Sequence, residues 1–306
     1  MLLQSFIYTL YQVFLPISFP IIAGALLKKL QGLETKSLSI IALYVLGPGL
    51  IFNALYKAEL SYSDMYKTLA FSVLNLGLLW GISVLCARIF SLSNEERSGL
   101  TLASAFTNSI NYGLPLVLLA FGKIGLDKAS VYVIIQTLIV NTLGIYFAAR
   151  SHFTIRQAIR SIFKMPTVYA AAAALLLRLL HTGLPGVVDQ GVIMLANAYS
   201  PVVLCILGAQ MMSMRSAALP RTKALYIGLI VRLLAAPFIA SAILYALGVN
   251  GVLFAVLMIL ASMPSAVNSV MLAEQFHSAP KLVSKCILWS TLASFILLPI
   301  LIRILS

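Results

Sequence analysis

Residues 104–122 read SAFTNSINYGLPLVLLAFG and residues 260–276 read LASMPSAVNSVMLAEQF. Both are apolar runs interrupted by polar and helix-breaking residues. These are Asn108, Ser109, Asn111, Gly113 and Pro115 in the first, and Ser262, Pro264, Ser265, Asn268 and Ser269 in the second. Proline removes a backbone donor and crowds the carbonyl four residues before it, while glycine permits angles that other residues avoid. Neither stretch is expected to form a regular helix.

The surrounding sequence shows what kind of medium these interruptions sit in. Of the 306 residues, 61% are hydrophobic and 9% charged, and the mean hydropathy is +1.02; a soluble domain carries roughly 25% charged residues. A water-soluble fold is excluded. Apolar runs between charged or Pro/Gly breaks place spans near 5–27, 36–56, 67–90, 98–121, 128–149, 165–182, 187–212, 222–247, 251–276 and 282–304, each near the ~20 residues that cross a bilayer. The first stretch carries Pro16 and Pro20 and is followed by Lys28 and Lys29, so it reads as a span and not as a cleaved signal. Cys86, Cys205 and Cys286 stand singly without metal-ligand spacing.

In that medium both interruptions fall at mid-membrane depth. Backbone groups freed there must be satisfied by protein or by water in a cavity, because lipid offers no partners. Asparagine amides supply both donors and acceptors. The alternative is that each proline merely kinks its span, as prolines commonly do in membrane helices.

The net charge of +13 resides in short loops, which points to topology signals and away from nucleic acid. Loops after odd-numbered spans hold Lys28, Lys29, Lys36, Arg88, Arg97, Arg150, Arg156, Arg160, Lys164, Arg215, Arg221, Lys223, Lys281 and Lys285, which is 14 of the 21 cations. The opposite side holds Lys57, Lys67, Lys123, Lys128, Arg178 and Arg303. Positive loops stay inside, so both termini are expected to be extracytoplasmic. The loop 151–164, SHFTIRQAIRSIFK, is either a helix lying on the cytoplasmic surface or a basic connector that enforces topology.

A weak repeat divides the chain. Pro48 in ALYVLGPGLIFNAL superposes on Pro201 in LANAYSPVVLCILG, 153 residues on, and the two interrupted spans correspond at nearly that offset. Five spans is an odd number, so the second half must run in the opposite sense. The expected fold class is an all-α polytopic membrane protein of ten transmembrane helices, in two inverted five-helix repeats with broken, crossing helices four and nine. The first repeat covers 1–150, a basic linker 151–164, and the second repeat 165–306.

Where two broken helices meet, their outgoing halves direct unpaired N–H groups and positive dipole ends at one point, which favours an anion. Arg232, inside span eight, is too deep to snorkel comfortably; it either holds an anion or ties the carbonyls of a broken helix. Glu274 either binds a coupling cation or pairs with Lys281 or Lys285, the second being favoured. Gln136 and Asn141 could line the cavity or bond neighbouring helices. No HExxH, GxSxG or P-loop is found, and His152, His181 and His277 are widely separated, so neither an enzyme, a metal site nor a cofactor is expected.

The segments FTNSINYGLPLVLLAFGKIGLDKASVY, NAYSPVVLCILGAQM, VRLLAAPF and MPSAVNSVMLAEQFHSAPKLVSKCILWSTLASF resemble the auxin efflux carrier family over essentially the whole chain. The resemblance implies that spans four and nine cross at prolines, with Gly113, Pro115 and Pro264 marking the breaks. It also implies that Asn111 or Asn108, with Asn268, holds a substrate carboxylate; Tyr112 and Ser269 complete the candidate set. Ser269 stands where the repeat would align a second crossover proline, and Pro264 comes several residues earlier.

By the same resemblance, spans one, two, six and seven (5–56 and 165–212) form a scaffold, often dimeric. The transport spans (67–149 and 222–304) move against it in an elevator-like way. The short central loop suits a bacterial member in the plasma (inner) membrane, and such members are associated with small organic acids. The expected function is secondary transport of a small organic anion; the rivals are a sodium-coupled carrier of the bile-acid transporter type and a nontransporting membrane sensor.

Overall fold

The computed structural model describes residues 10–57, 61–140, 143, 163, 165–215 and 222–305. Asn141, Glu59, Arg221 and the cations of the central linker lie outside these residues, so the surface-helix reading of 151–164 is not addressed.

The described residues form α1 (Leu10–Gln31), α2 (Thr35–Lys57), α3 (Tyr62–Ile89), α4 (Asn94–Ala105), α5 (Leu114–Ile139), α6 (Pro166–Leu179), α7 (Gly186–Arg215), α8 (Lys223–Ala246), α9 (Gly251–Ser262), α10 (Asn268–Gln275) and α11 (Pro280–Leu305). Six of them, α1, α2, α3, α7, α8 and α11, are long and apolar enough to cross a membrane. The chain is thus a multi-pass helical membrane protein. Span four is divided between α4 and the start of α5, and span nine between α9 and α10. At Gly122 (φ 62°, ψ −156°) α5 turns sharply, so its remainder is the start of span five. That positive φ suits glycine, which has no Cβ to clash.

Polar residues begin the helices where the chain re-enters the apolar layer. Ser93 and Glu96 form a reciprocal capping box at the start of α4, Ser61 accepts from the Asp64 amide at α3, and Thr222 accepts from the Leu225 amide at α8. Each side chain occupies an amide that has no partner within its helix.

Two helix pairs make one side of the molecule: α1 packs on α7 and α2 on α6. A methyl group at Gly24 would run into the carbonyl of Cys205, and one at Gly208 into that of Ile21, so α1 and α7 cross backbone to backbone. Small residues permit the dispersion contacts that hold helices together in lipid. The ion pairs Lys57–Asp189 (2.7 Å) and Lys128–Asp64 (2.6 Å) each join residues that the charge pattern assigns to one face.

Candidate functional site

Helix α4 ends at Ala105. Residues 106–108 leave the helix, with Phe106 extended and Asn108 in a turn conformation (φ −78°, ψ 49°), a π-turn follows over Ser109–Gly113, and α5 continues from Leu114. In the other span α9 ends at Ser262, residues 263–267 are unwound, and α10 begins at Asn268. The two unwound segments pair antiparallel, with Thr107 opposite Ser265. The Asn108 amide donates to the Pro264 carbonyl (2.8 Å), and the Ala266 amide donates to the Phe106 carbonyl (2.9 Å). This two-bond bridge satisfies backbone groups that lipid would leave stranded.

The breaks do not fall where Gly113 and Pro115 mark them. Pro115 comes just after the π-turn, whose wider bonding accommodates its missing N–H, and Gly113 has ordinary helical angles. A Cβ on Gly113 would lie 2.7 Å from Leu260 Cδ2, so that glycine serves the close approach of α9. Pro264 does sit in an unwound segment, whereas Ser269 lies inside α10.

The carbonyls of the two incoming helices are met from three directions. The Ser269 hydroxyl donates to Leu102 O (3.3 Å), and the Ser265 hydroxyl to Ala103 O (2.6 Å). Arg232, fully buried, donates through Nη1 to Ser104 O (2.8 Å) and through Nη2 to Ala261 O. One guanidinium therefore ties the ends of both α4 and α9, which is the second of the two roles its depth allowed. A π-turn in α8, Val231–Ala235, carries it.

The outgoing halves present a different face. Asn108, Asn111 and Asn268 line a single cavity of about 300 Å³, together with Thr107, Ser109 and Gln136. Asn108 is 4% exposed, and its Nδ2 has no hydrogen-bond partner. No side chain caps the π-turn or α10. The opposite wall comes from residues 42–51 of α2, residues 165–167 and Tyr199 of α7. Most of the lining is apolar, for example Ile51, Leu114, Val133, Val267 and Met271.

The remaining candidates are placed as follows. Gln136 donates to the Tyr132 hydroxyl (2.7 Å) at the cavity wall. Tyr112 is buried outside the lining, its ring 6.1 Å from that of Phe295. Glu274 is exposed on α10, and among the described residues it forms no ion pair with Lys281 or Lys285. Sequence reasoning did not single out Tyr199, whose buried hydroxyl lacks a partner. The signal available was its position two residues before Pro201, the proline of the repeat.

A multi-pass helical protein with a polar, internally bridged break beside a cavity belongs to the class of membrane transporters. Residues 6–157 and 148–302 match the family described as "Membrane transport protein". The chain belongs to this family, that of the auxin efflux carriers. It is 31% identical to an uncharacterized transporter of Methanothermobacter thermautotrophicus over 288 residues, covering 92% of this chain and 93% of that one. It is also 25% identical to an uncharacterized transporter of Methanocaldococcus jannaschii over 285 residues, 87% of this chain and 88% of the other.

Proposed function

We propose that this protein is a secondary carrier that moves a small organic anion across the plasma membrane by alternating access at the paired breaks. The observation that carries the reading is the convergence of Asn108, Asn111 and Asn268, from two separate broken helices, on one cavity where the side-chain Nδ2 of Asn108 stands unpartnered. A buried amide without a partner costs about 1–3 kcal/mol, so a ligand oxygen that accepts from it is favoured. The mostly apolar lining suits a carboxylate with a compact apolar body.

The architecture we infer is ten spans in two inverted halves, with α1, α2, α6 and α7 as a scaffold that also mediates a homodimer. One wall of the cavity belongs to that scaffold and the other to the breaks. Sliding the broken helices along the scaffold would carry a bound anion between faces. The cavity extends along α10 to Gln275 and to residues 165–167, toward the end richer in Lys and Arg. On the topology inferred from charge this is an inward-facing state.

The test is uptake of a panel of labelled carboxylic acids by purified protein in liposomes, with and without sodium or proton gradients. At least one acid should enter faster than in protein-free vesicles. Asn111→Ala and Asn268→Ala should each cut that rate about tenfold, equivalent to roughly 1.4 kcal/mol, without lowering thermal stability. A protein that moves no acid, and whose ligand binding and stability ignore both substitutions, is not this carrier.

A further inference from the structure

We infer that the groove between α2, α3, α5 and α6 is a binding site for one anionic phospholipid, with an acyl chain lying in the groove and the phosphate held by Arg178. The inference goes beyond the carrier reading and uses none of the residues at the breaks.

A groove of about 310 Å³ runs between α2 and α6 on one side and α3 and the later part of α5 on the other. Its walls include Leu55, Tyr66, Leu69, Ile134, Ala171 and Leu175. Leu69 and Leu175 are exposed, and α2 and α3 are long and apolar enough to cross a membrane. The groove therefore opens to the bilayer. Left empty, it would forfeit dispersion contacts along both walls. Water finds few polar partners there, whereas an acyl chain fills the space with no polar group to desolvate.

Charge marks one end of the groove. Ala171, Leu175 and Arg178 follow at i, i+4 and i+7, which is one face of α6. Ala171 and Leu175 line the groove, so Arg178 stands on the same face about 10 Å along the axis from Ala171. The Tyr56 hydroxyl donates to the Thr182 carbonyl (3.0 Å) and accepts from the Leu184 amide (3.0 Å). These bonds tie the end of α2, with Leu55, to the end of α6. Arg178 is partly buried, and among the described residues it forms no ion pair. Its planar guanidinium can take a phosphate through two parallel N–H donors, while its stem lies along apolar surface.

The same neighbourhood decides the headgroup. Lys128 and Lys57 hold Asp64 and Asp189, and Asp127 is buried. Among the described residues no open carboxylate on this face remains to receive the choline or ammonium of a zwitterionic lipid. Phosphatidylglycerol brings the phosphate without a cation.

The test is native mass spectrometry of the full chain released from detergent micelles that contain dioleoyl phosphatidylglycerol or dioleoyl phosphatidylcholine. Wild type should bind its first phosphatidylglycerol about tenfold tighter than its first phosphatidylcholine. Arg178→Gln should bring the two lipids within about twofold of each other, and Lys36→Gln, on the opposite face, should leave the preference as it is. Leu175→Trp fills the groove from α6 and Leu69→Trp fills it from α3. Each should weaken phosphatidylglycerol about fivefold or more with an unchanged melting temperature in the same detergent; having one variant on each wall keeps the test decisive if one of them does not fold. Glycerol phosphate, a headgroup without chains, should not displace the lipid.

A wild type without lipid preference overturns the inference, as does a preference that survives Arg178→Gln or that Lys36→Gln abolishes equally. Affinity that ignores both tryptophans, or displacement by glycerol phosphate, overturns the acyl-chain half and with it the site. Loss of self-association in the tryptophan variants with lipid binding unchanged would give the groove to a second copy of this chain. None of these results bears on the carrier reading, which stands or falls on acid transport.

Discussion

The second break begins where Pro264 follows Met263, whose φ of −57° and ψ of 150° are those imposed on a residue before proline. The first break, over residues 106–108, contains neither proline nor glycine. Phe106 is nonetheless extended (φ −106°, ψ 129°), and both ends of its short segment are bonded to the other break. One helix is thus stopped by its own covalent chemistry and the other by a partner remote in sequence. Thr107 and Asn108 assist, because their side chains compete for backbone groups and weaken a helix. A symmetric-looking pair of interruptions can therefore have a leading and a following member.

Three substitutions sharpen that comparison. The largest effect is expected from Pro264→Ala. Without the proline α9 can extend, and the bonds to Phe106 and Asn108 compete with helix formation. We expect a loss of about 2 kcal/mol and faster amide exchange at both breaks, including the first, which was not mutated. Unchanged melting together with unchanged exchange at residues 106–108 would show that the first break stands alone. Ser265→Ala removes the hydroxyl that donates to Ala103 O at 2.6 Å; about 1 kcal/mol should be lost, read as a lower melting temperature in the same lipid. The smallest effect belongs to Pro115→Ala. That proline looks as disruptive in the sequence as Pro264 but lies past the break, where the π-turn Ser109–Gly113 accommodates it, so the change should cost about 0.5 kcal/mol. A large loss there would return Pro115 to the break.

The same contrast explains what could be read in advance. Hydropathy is a local quantity, so the long apolar helices follow from short windows of sequence. Asn108, Asn111 and Asn268 were legible as site candidates because polar side chains are costly at that depth. Tyr112 is next to Asn111 in the sequence. One helical step turns a side chain by about 100°, and that step puts Tyr112 against Phe295 and not on the cavity.

By itself the sequence determined the solvent, the helical class, the neighbourhood of both interruptions and the presence of one deep cation at position 232. Only the tertiary structure decided that the unwound segments pair at Thr107 and Ser265, that Arg232 bonds Ser104 and Ala261, and that Tyr199 lines the cavity. Burial fixes which residues must find a partner, since an unsatisfied polar group in lipid costs several kcal/mol. It does not fix which partner. Arg232 and Ser104 are 128 residues apart, and Ser265 and Ala103 are 162 apart, so those pairings arise only when the helices are packed against one another.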